Sequence, residues 1–252
     1  LLSGFGHVVV SNTYENGLGV IKFKEGVDSI SDRAFANSNL VSISIPECIT
    51  SIGDKTFMGC RDLASVELPE SVTEIGTEAF TGCVSLRDIV VPSGVSVIKK
   101  KTYSDCTALT SISIPEGITT IRAEAFEDCT GITSVTLPES LTTIEEAPFS
   151  GCNNLVEFYG KYASEDGKYL FDGDTLLAVA PAGLTELTLP EGITTIGEYA
   201  VGGCKQLLSI TIPEGVASIG KGAFSKCEEL TEISIPTSVA YIGAEAFQLC
   251  YK

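Results

Sequence analysis

Nine cysteines and a single histidine are the residues most able to carry chemistry here, and their spacing decides what chemistry is open. Cys60, Cys83, Cys106, Cys129 and Cys152 fall every 23 residues, and Cys204, Cys227 and Cys250 resume that step. No C-x-x-C pair exists, so a structural zinc site is not encoded. His7 is the only histidine, which leaves no Cys-His or Ser-His-Asp constellation to activate a nucleophile. A disulfide ladder fares no better. Equivalent side chains in stacked strands lie ~4.8 Å apart, whereas disulfide Cβ atoms sit ~3.8 Å apart. The eight regularly spaced cysteines are therefore read as buried thiols packing as small hydrophobes. Cys48, outside that register, occupies a turn and is expected to be exposed. Asp172 and Asp174 in FDGDT suggest a calcium loop, but TLLAVAPAG downstream supplies no further oxygen ligands. The reading is no catalytic residue, no cofactor and no metal.

Proline keeps the same beat at Pro46, Pro69, Pro92, Pro115 and Pro138, then at Pro190, Pro213 and Pro236. A fixed period of this length marks a solenoid, each repeat one coil stacked on the last. Units begin at Leu18, Leu40, Leu63, Leu86, Leu109, Ile132, Leu155, Leu184, Leu207 and Leu230. In LTSISIPEGITTIRAEAFEDCTG, from Leu109 to Gly131, the opening L-x-x-I-x-I alternates like a half-buried strand. Ile112 and Ile114 point inward, and Ser111 and Ser113 point out. Pro115-Glu116-Gly117 is turn chemistry. Ile118 to Ile121 is a second short extended stretch. A-F-x-x-C then buries Phe126 and Cys129 at the spacing of one helical turn. Phe35, Phe57, Phe80, Phe126, Phe149, Phe224 and Phe247 stack in one column, with Tyr103 and Val201 substituting.

The unit from Leu155 breaks the rule. It has 29 residues and lacks both the proline turn and A-F-x-x-C. Asp172-Gly173 between apolar runs signals a β-hairpin. The fold class is thus α/β and β-rich: a solenoid with a parallel sheet on one face, short helical turns and one hairpin insertion. Residues 1–17 form an N-terminal segment acting as a partial cap, and 18–252 a ten-coil solenoid with the atypical unit at 155–183.

A formal charge of −17 repels nucleic acid and anionic headgroups. No apolar run approaches the ~18 residues of a membrane span. The outward sheet positions carry hydroxyls and carboxylates, and aromatics gather only in the 155–183 unit. Candidate partner-binding residues are therefore Glu157, Tyr159, Tyr162, Tyr169 and Glu186, around acidic turns at Ser164–Gly167 and Asp172–Asp174.

The pattern L-x-x-I-x-I-P-x-G-I-T-x-I-x-x-x-A-F-x-x-C resembles the BspA-like class of bacterial leucine-rich repeats, over residues 18–252. The resemblance implies a right-handed solenoid on an exported or surface-attached protein. It implies adhesion or binding of a protein ligand, extracellular matrix or host surface proteins among them, and it supplies no catalytic residue. The alternatives are a spacer presenting another domain, and carbohydrate binding at the hairpin aromatics. An uncapped last coil would associate end to end.

Overall fold

The computed structural model describes residues 9–15, 18–23 and 26–252. Within them the chain forms a parallel β-solenoid of about nine turns. Each regular coil except the one from Leu86 contributes a three- or four-residue strand to one face, as in Ser111–Ser113 and Ser134–Leu137. A two-residue strand follows on a second face, as in Thr120–Ile121. Partners run parallel and in register, Ser111 opposite Ser134 and Thr120 opposite Thr143. The expected alternation holds: Ile112 and Ile114 are buried, Ser111 and Ser113 exposed.

The expected helical turns are not present: no helix occurs among the described residues. Across A-F-x-x-C, alternate amides face different partners. Ala34, Ala36 and Ser38 donate to carbonyls three residues back, closing tight turns. Arg33, Phe35 and Asn37 donate instead to Asp54, Thr56 and Met58 of the next coil, at 2.7–2.9 Å. A helix would need every amide turned inward along its own axis. Stacking claims half of them, so the segment becomes a third hydrogen-bonded face. The geometry places two residues, four apart, in the left-handed region: Arg33 and Asn37, Glu78 and Gly82, Glu124 and Asp128.

The aromatic column packs inside that face. Phe35, Phe57, Phe80, Tyr103, Phe126 and Phe149 stack near-parallel with centroids 5.2–5.6 Å apart. The cysteines line it as free thiols. Cys83 Sγ donates to Phe57 O at 3.2 Å and Cys129 Sγ to Tyr103 O at 3.0 Å, and Cys60, Cys106, Cys152, Cys227 and Cys250 likewise bond a carbonyl of the preceding coil. Cys48 is exposed, and Cys250, expected to be buried, is only half-buried because it lies in the last coil described.

Two places depart from regular stacking. Between the coils starting at Leu63 and Leu86, neither strand face is paired; the strands end at Glu74–Ile75 and resume at Val97–Ile98 without bonding each other. Apart from Arg87 N donating to Ala64 O at 3.4 Å, the turn face carries the amide ladder across, Glu78 donating to Lys100 and Phe80 to Thr102. This join falls where Gly53 and Gly76 give way to Lys99. A Cβ on Gly76 would lie 2.4 Å from Gly53 backbone atoms, so such close stacking excludes a side chain. The second departure is the hairpin unit. At the N-terminal end, Leu18–Phe23 pairs antiparallel with Val9–Glu15 instead of joining the parallel stack, so the first of the ten expected coils is not a regular one. The expected cap over residues 1–17 lies partly outside the described residues.

Candidate functional site

In the Leu155 unit the opening strand Glu157–Gly160 still pairs with Ser134–Leu137. The chain then leaves the coil path. Ser164–Gly167 closes a turn whose Gly167 carbonyl accepts from Phe158 N at 2.8 Å. Tyr169–Asp172 and Thr175–Val179 form the expected antiparallel hairpin, and the second strand pairs parallel with Thr195–Ile196. That second strand divides the interior: Ala178 packs in a core running back to Ile30, Leu176 and Val179 in a second core running to Ala246.

The two acidic turns expected to form one tip are separated. They sit at opposite ends of Tyr169–Asp172, a four-residue strand ~10 Å long. Asp174 is drawn toward the second face, where its carboxylate accepts from Thr194 Oγ1 at 2.6 Å. Ser164–Gly167 lies beside the sheet. With Glu157 and Tyr159 it lines a concavity of 210 Å³, and Glu165 and Asp166 project there. Ser164 and the Lys168 amide hydrogen-bond Asp166 and hold its carboxyl below the usual range.

The five candidate residues do not form one cluster. Tyr159 is 46% exposed on the outward side of the sheet, and its hydroxyl, hydrogen-bonded by Glu157, titrates above its ordinary value. Tyr169 reaches toward the next coil and donates to Thr188 O at 3.2 Å, placing it beside the strand Glu186–Thr188 that carries exposed Glu186. Glu157, Tyr159, Tyr169 and Glu186 thus bracket the gap in the sheet left by the hairpin. Tyr162 turns away; its hydroxyl lies 3.4 Å from Leu141 O and its ring packs against the first core. Its backbone is left-handed, φ 71°, which swings the side chain off the sheet face.

A second concavity escaped the sequence reading. Because the hairpin unit has no turn segment, the turns of the coils on either side meet directly. Gly203 and Gly151 approach so closely that a Cβ on Gly203 would sit 2.8 Å from Gly151 N. Beside this contact a 340 Å³ cleft opens between Glu124, Glu127 and Glu146 on one wall and Glu198, Tyr199 and Lys226 on the other. Lys226 spans it, 3.9 Å from both Glu127 and Asp128. Burial raises the Glu127 carboxyl. The missing A-F-x-x-C was the available signal, since a coil without a turn must leave its neighbours' turns adjacent. Among the described residues, no group of His, Cys, Asp and Glu is arranged to hold a metal ion.

A family model described as the BspA type leucine-rich repeat region matches residues 16–162 and 180–252, in six copies. The chain belongs to the BspA-type leucine-rich-repeat family. Between the two matched stretches, residues 163–179 of this BspA-type chain hold the hairpin and Tyr169, while Glu157, Tyr159, Tyr162 and Glu186 fall inside the matched residues. A leucine-rich cell surface protein from Faecalibacterium prausnitzii is similar at 26% identity and a TM-score of 0.65, over 96% of this chain and 72% of that one. A leucine-rich repeat protein from Eubacterium ventriosum shares the fold with a TM-score of 0.79 at 24% identity, over 98% and 69%. The pneumococcal vaccine antigen PcpA shares it with a TM-score of 0.59 at 20% identity, over 93% and 70%. No curated protein matches the chain. No described helix is long and apolar enough to cross a membrane.

Proposed function

We propose that this chain is a non-catalytic protein-binding or adhesion module of an exported or cell-surface protein. The observation that carries the reading is the hairpin unit. Every other coil is constrained by stacking, and this one gives up a turn and splits the core, yet it sets Tyr159, Glu157, Glu165 and Asp166 around a concavity on the sheet side, with Tyr169 reaching across to the next coil. Exposed Tyr159 offers apolar area with a hydroxyl donor, the mix that binding surfaces favour. The similarity to a bacterial leucine-rich cell surface protein supports the setting. The partner class is a protein ligand, with extracellular matrix and host surface proteins first to test.

A spacer is the competing reading, favoured by the uniformity of the remaining coils. Replacing residues 155–183 with a consensus 23-residue coil separates the two. The chimera and the parent are compared for binding to immobilised matrix proteins, with circular dichroism confirming the fold. Loss of binding in a folded chimera supports the module; retained binding refutes the hairpin as its site.

A further inference from the structure

Cations on this molecule are partitioned by face. Every ion pair among the described residues lies away from the longer-strand sheet face: Lys55 with Glu78, Lys99 with Glu74, Lys101 with Glu124 and Glu127, Arg122 with Glu145, and similar pairs in later coils. The outward positions of the sheet, from Ser42 to Ser234, hold no lysine or arginine at all. They hold Glu67, Asp88, Glu157, Glu186 and Glu232, none in an ion pair. Arg87 and Lys168 stand only at the margin, and Lys168 Nζ is already bonded to Val156 O at 3.1 Å. The outward sheet face therefore carries five of the chain's 33 acidic residues and no cation to compensate them.

Exposed apolar surface follows the same partition, and independently. Outside the last coil, the large exposed hydrophobics are Val41, Val90, Val156, Tyr159 and Leu208. Val90, 77% exposed, and Tyr159 point outward from the sheet; Val41, Val156 and Leu208 sit in the column that opens its strands. The turn face shows none. Solubility alone would scatter such residues, or place them beside mixed charges. Apolar anchors among unpaired carboxylates, with cations removed to the opposite side, match a partner whose side chains are cationic at the tip and aliphatic along the stem.

We propose that this face docks a basic segment of a protein partner, its arginine and lysine heads paired with Glu67, Asp88, Glu157, Glu186 and Glu232 and their stems laid over Val90, Tyr159 and Leu208. The proposal rests on the protein-binding reading above and supplies its chemistry. Arginine gains most, because its planar fork pairs bidentately with a carboxylate and stacks on a tyrosine ring.

The test uses the whole chain in solution and a tethered peptide of repeating Arg-Val-Ser units, with Glu-Val-Ser as its counterpart. Binding is measured by surface plasmon resonance between about 50 mM and about 300 mM salt, across which the Debye length shortens from beyond 10 Å to well below it. The expected results are binding of the basic peptide alone and a loss of about tenfold or more over that salt range. The variant E67Q/D88N/E157Q/E186Q/E232Q should weaken it by about tenfold, the sum of five modest exposed pairs. Neutralising the same number of acids elsewhere, D105N/E146Q/E198Q/E228Q/E245Q, should change it by less than about twofold. V90S/Y159S should weaken binding while leaving the salt slope intact. Equal loss in both charge variants, or an affinity indifferent to V90S/Y159S, overturns the proposal, because either result describes a general acidic field. If the basic peptide fails while the hairpin chimera loses a matrix protein, the protein-binding reading stands and this chemistry falls. If neither shows an effect, both fall.

Discussion

Alkaline titration puts the thiol ladder to a quantitative test. Burial pushes the Cys83 and Cys129 thiols from 9.0 up to about 12 and raises Cys106 and Cys152 well above 9.0, while Cys204 is raised well above 9.0 by its hydrogen bond with Cys227 and then by burial. A thiol whose value is raised by folding ionises first in the unfolded chain. Its contribution is therefore fully present below pH 9 and is lost as pH climbs from 9 toward 12. At pH 10 an unfolded thiol of 9.0 has gained about 1.4 kcal/mol by ionising, while a folded one at about 12 has gained almost nothing. Cys83 and Cys129 together thus cost the fold about 3 kcal/mol between pH 8 and pH 10. The perturbation is Cys83→Ala with Cys129→Ala, and the assay is urea unfolding by circular dichroism at both pH values under a phosphine reductant. At pH 8 the variant is the less stable, having lost two packed sulfurs and their bonds to Phe57 O and Tyr103 O. By pH 10 the gap narrows by about 3 kcal/mol. Tyr103 and Lys101, both raised, titrate alike in the two proteins and cancel from the comparison. A gap that stays constant within about 1 kcal/mol would refute the picture of sealed, neutral thiols.

Native thiol labelling at pH 8 should modify Cys48 first, Cys250 more slowly and the buried cysteines only after denaturation, giving nine in total; fewer than nine without reductant would reveal disulfides. Phe126→Ala should cost about 3–5 kcal/mol by emptying a position stacked on both sides. Tyr103→Phe should stabilise the fold by about 1 kcal/mol and raise the thermal midpoint, because the Tyr103 hydroxyl is buried without a partner; a clear drop in the midpoint would mean the hydroxyl is satisfied. Gly76→Ala should destabilise by about 3 kcal/mol, since its Cβ would collide with the Gly53 backbone, and an unchanged midpoint would show that the coils can spread there.

Much of this was legible because a stacked repeat converts sequence register directly into contact. The 23-residue step places Phe57 over Phe80 and Cys83 beneath Phe57 O without reference to anything distant. The alternation of Ile112 and Ser111 carried the same certainty. The helical turn was misread because Phe126 and Cys129, three apart, fit a helix and a pair of tight turns equally well. Only the destination of the intervening amides separates the two, and that depends on the neighbouring coil. The candidate site was legible as a location but not as a shape. Sequence marked 155–183 as the exception, yet the left-handed backbone at Tyr162 and the bond from Tyr169 to Thr188 arise from how the hairpin folds back. The broken pairing before Val97 had no clear sequence mark beyond the change from Gly76 to Lys99.

That broken pairing gives the molecule a preferred place to part under tension. Pulled along its axis, as any tethered chain at an adhesive contact is, a solenoid yields at its least bonded layer. Well-formed layers, such as those between the coils at Leu109 and Ile132 or at Leu184 and Leu207, share amide bonds on three faces; the layer after Gly82 shares an unbroken ladder only on the turn side, backed by the Phe80–Tyr103 stack at 5.6 Å. Single-molecule stretching should record a first, low-force extension matching release of the coils before residue 86, with the longer remainder holding to higher load. The solenoid would then act as a graded fuse, lengthening by one segment before the rest of the structure is loaded.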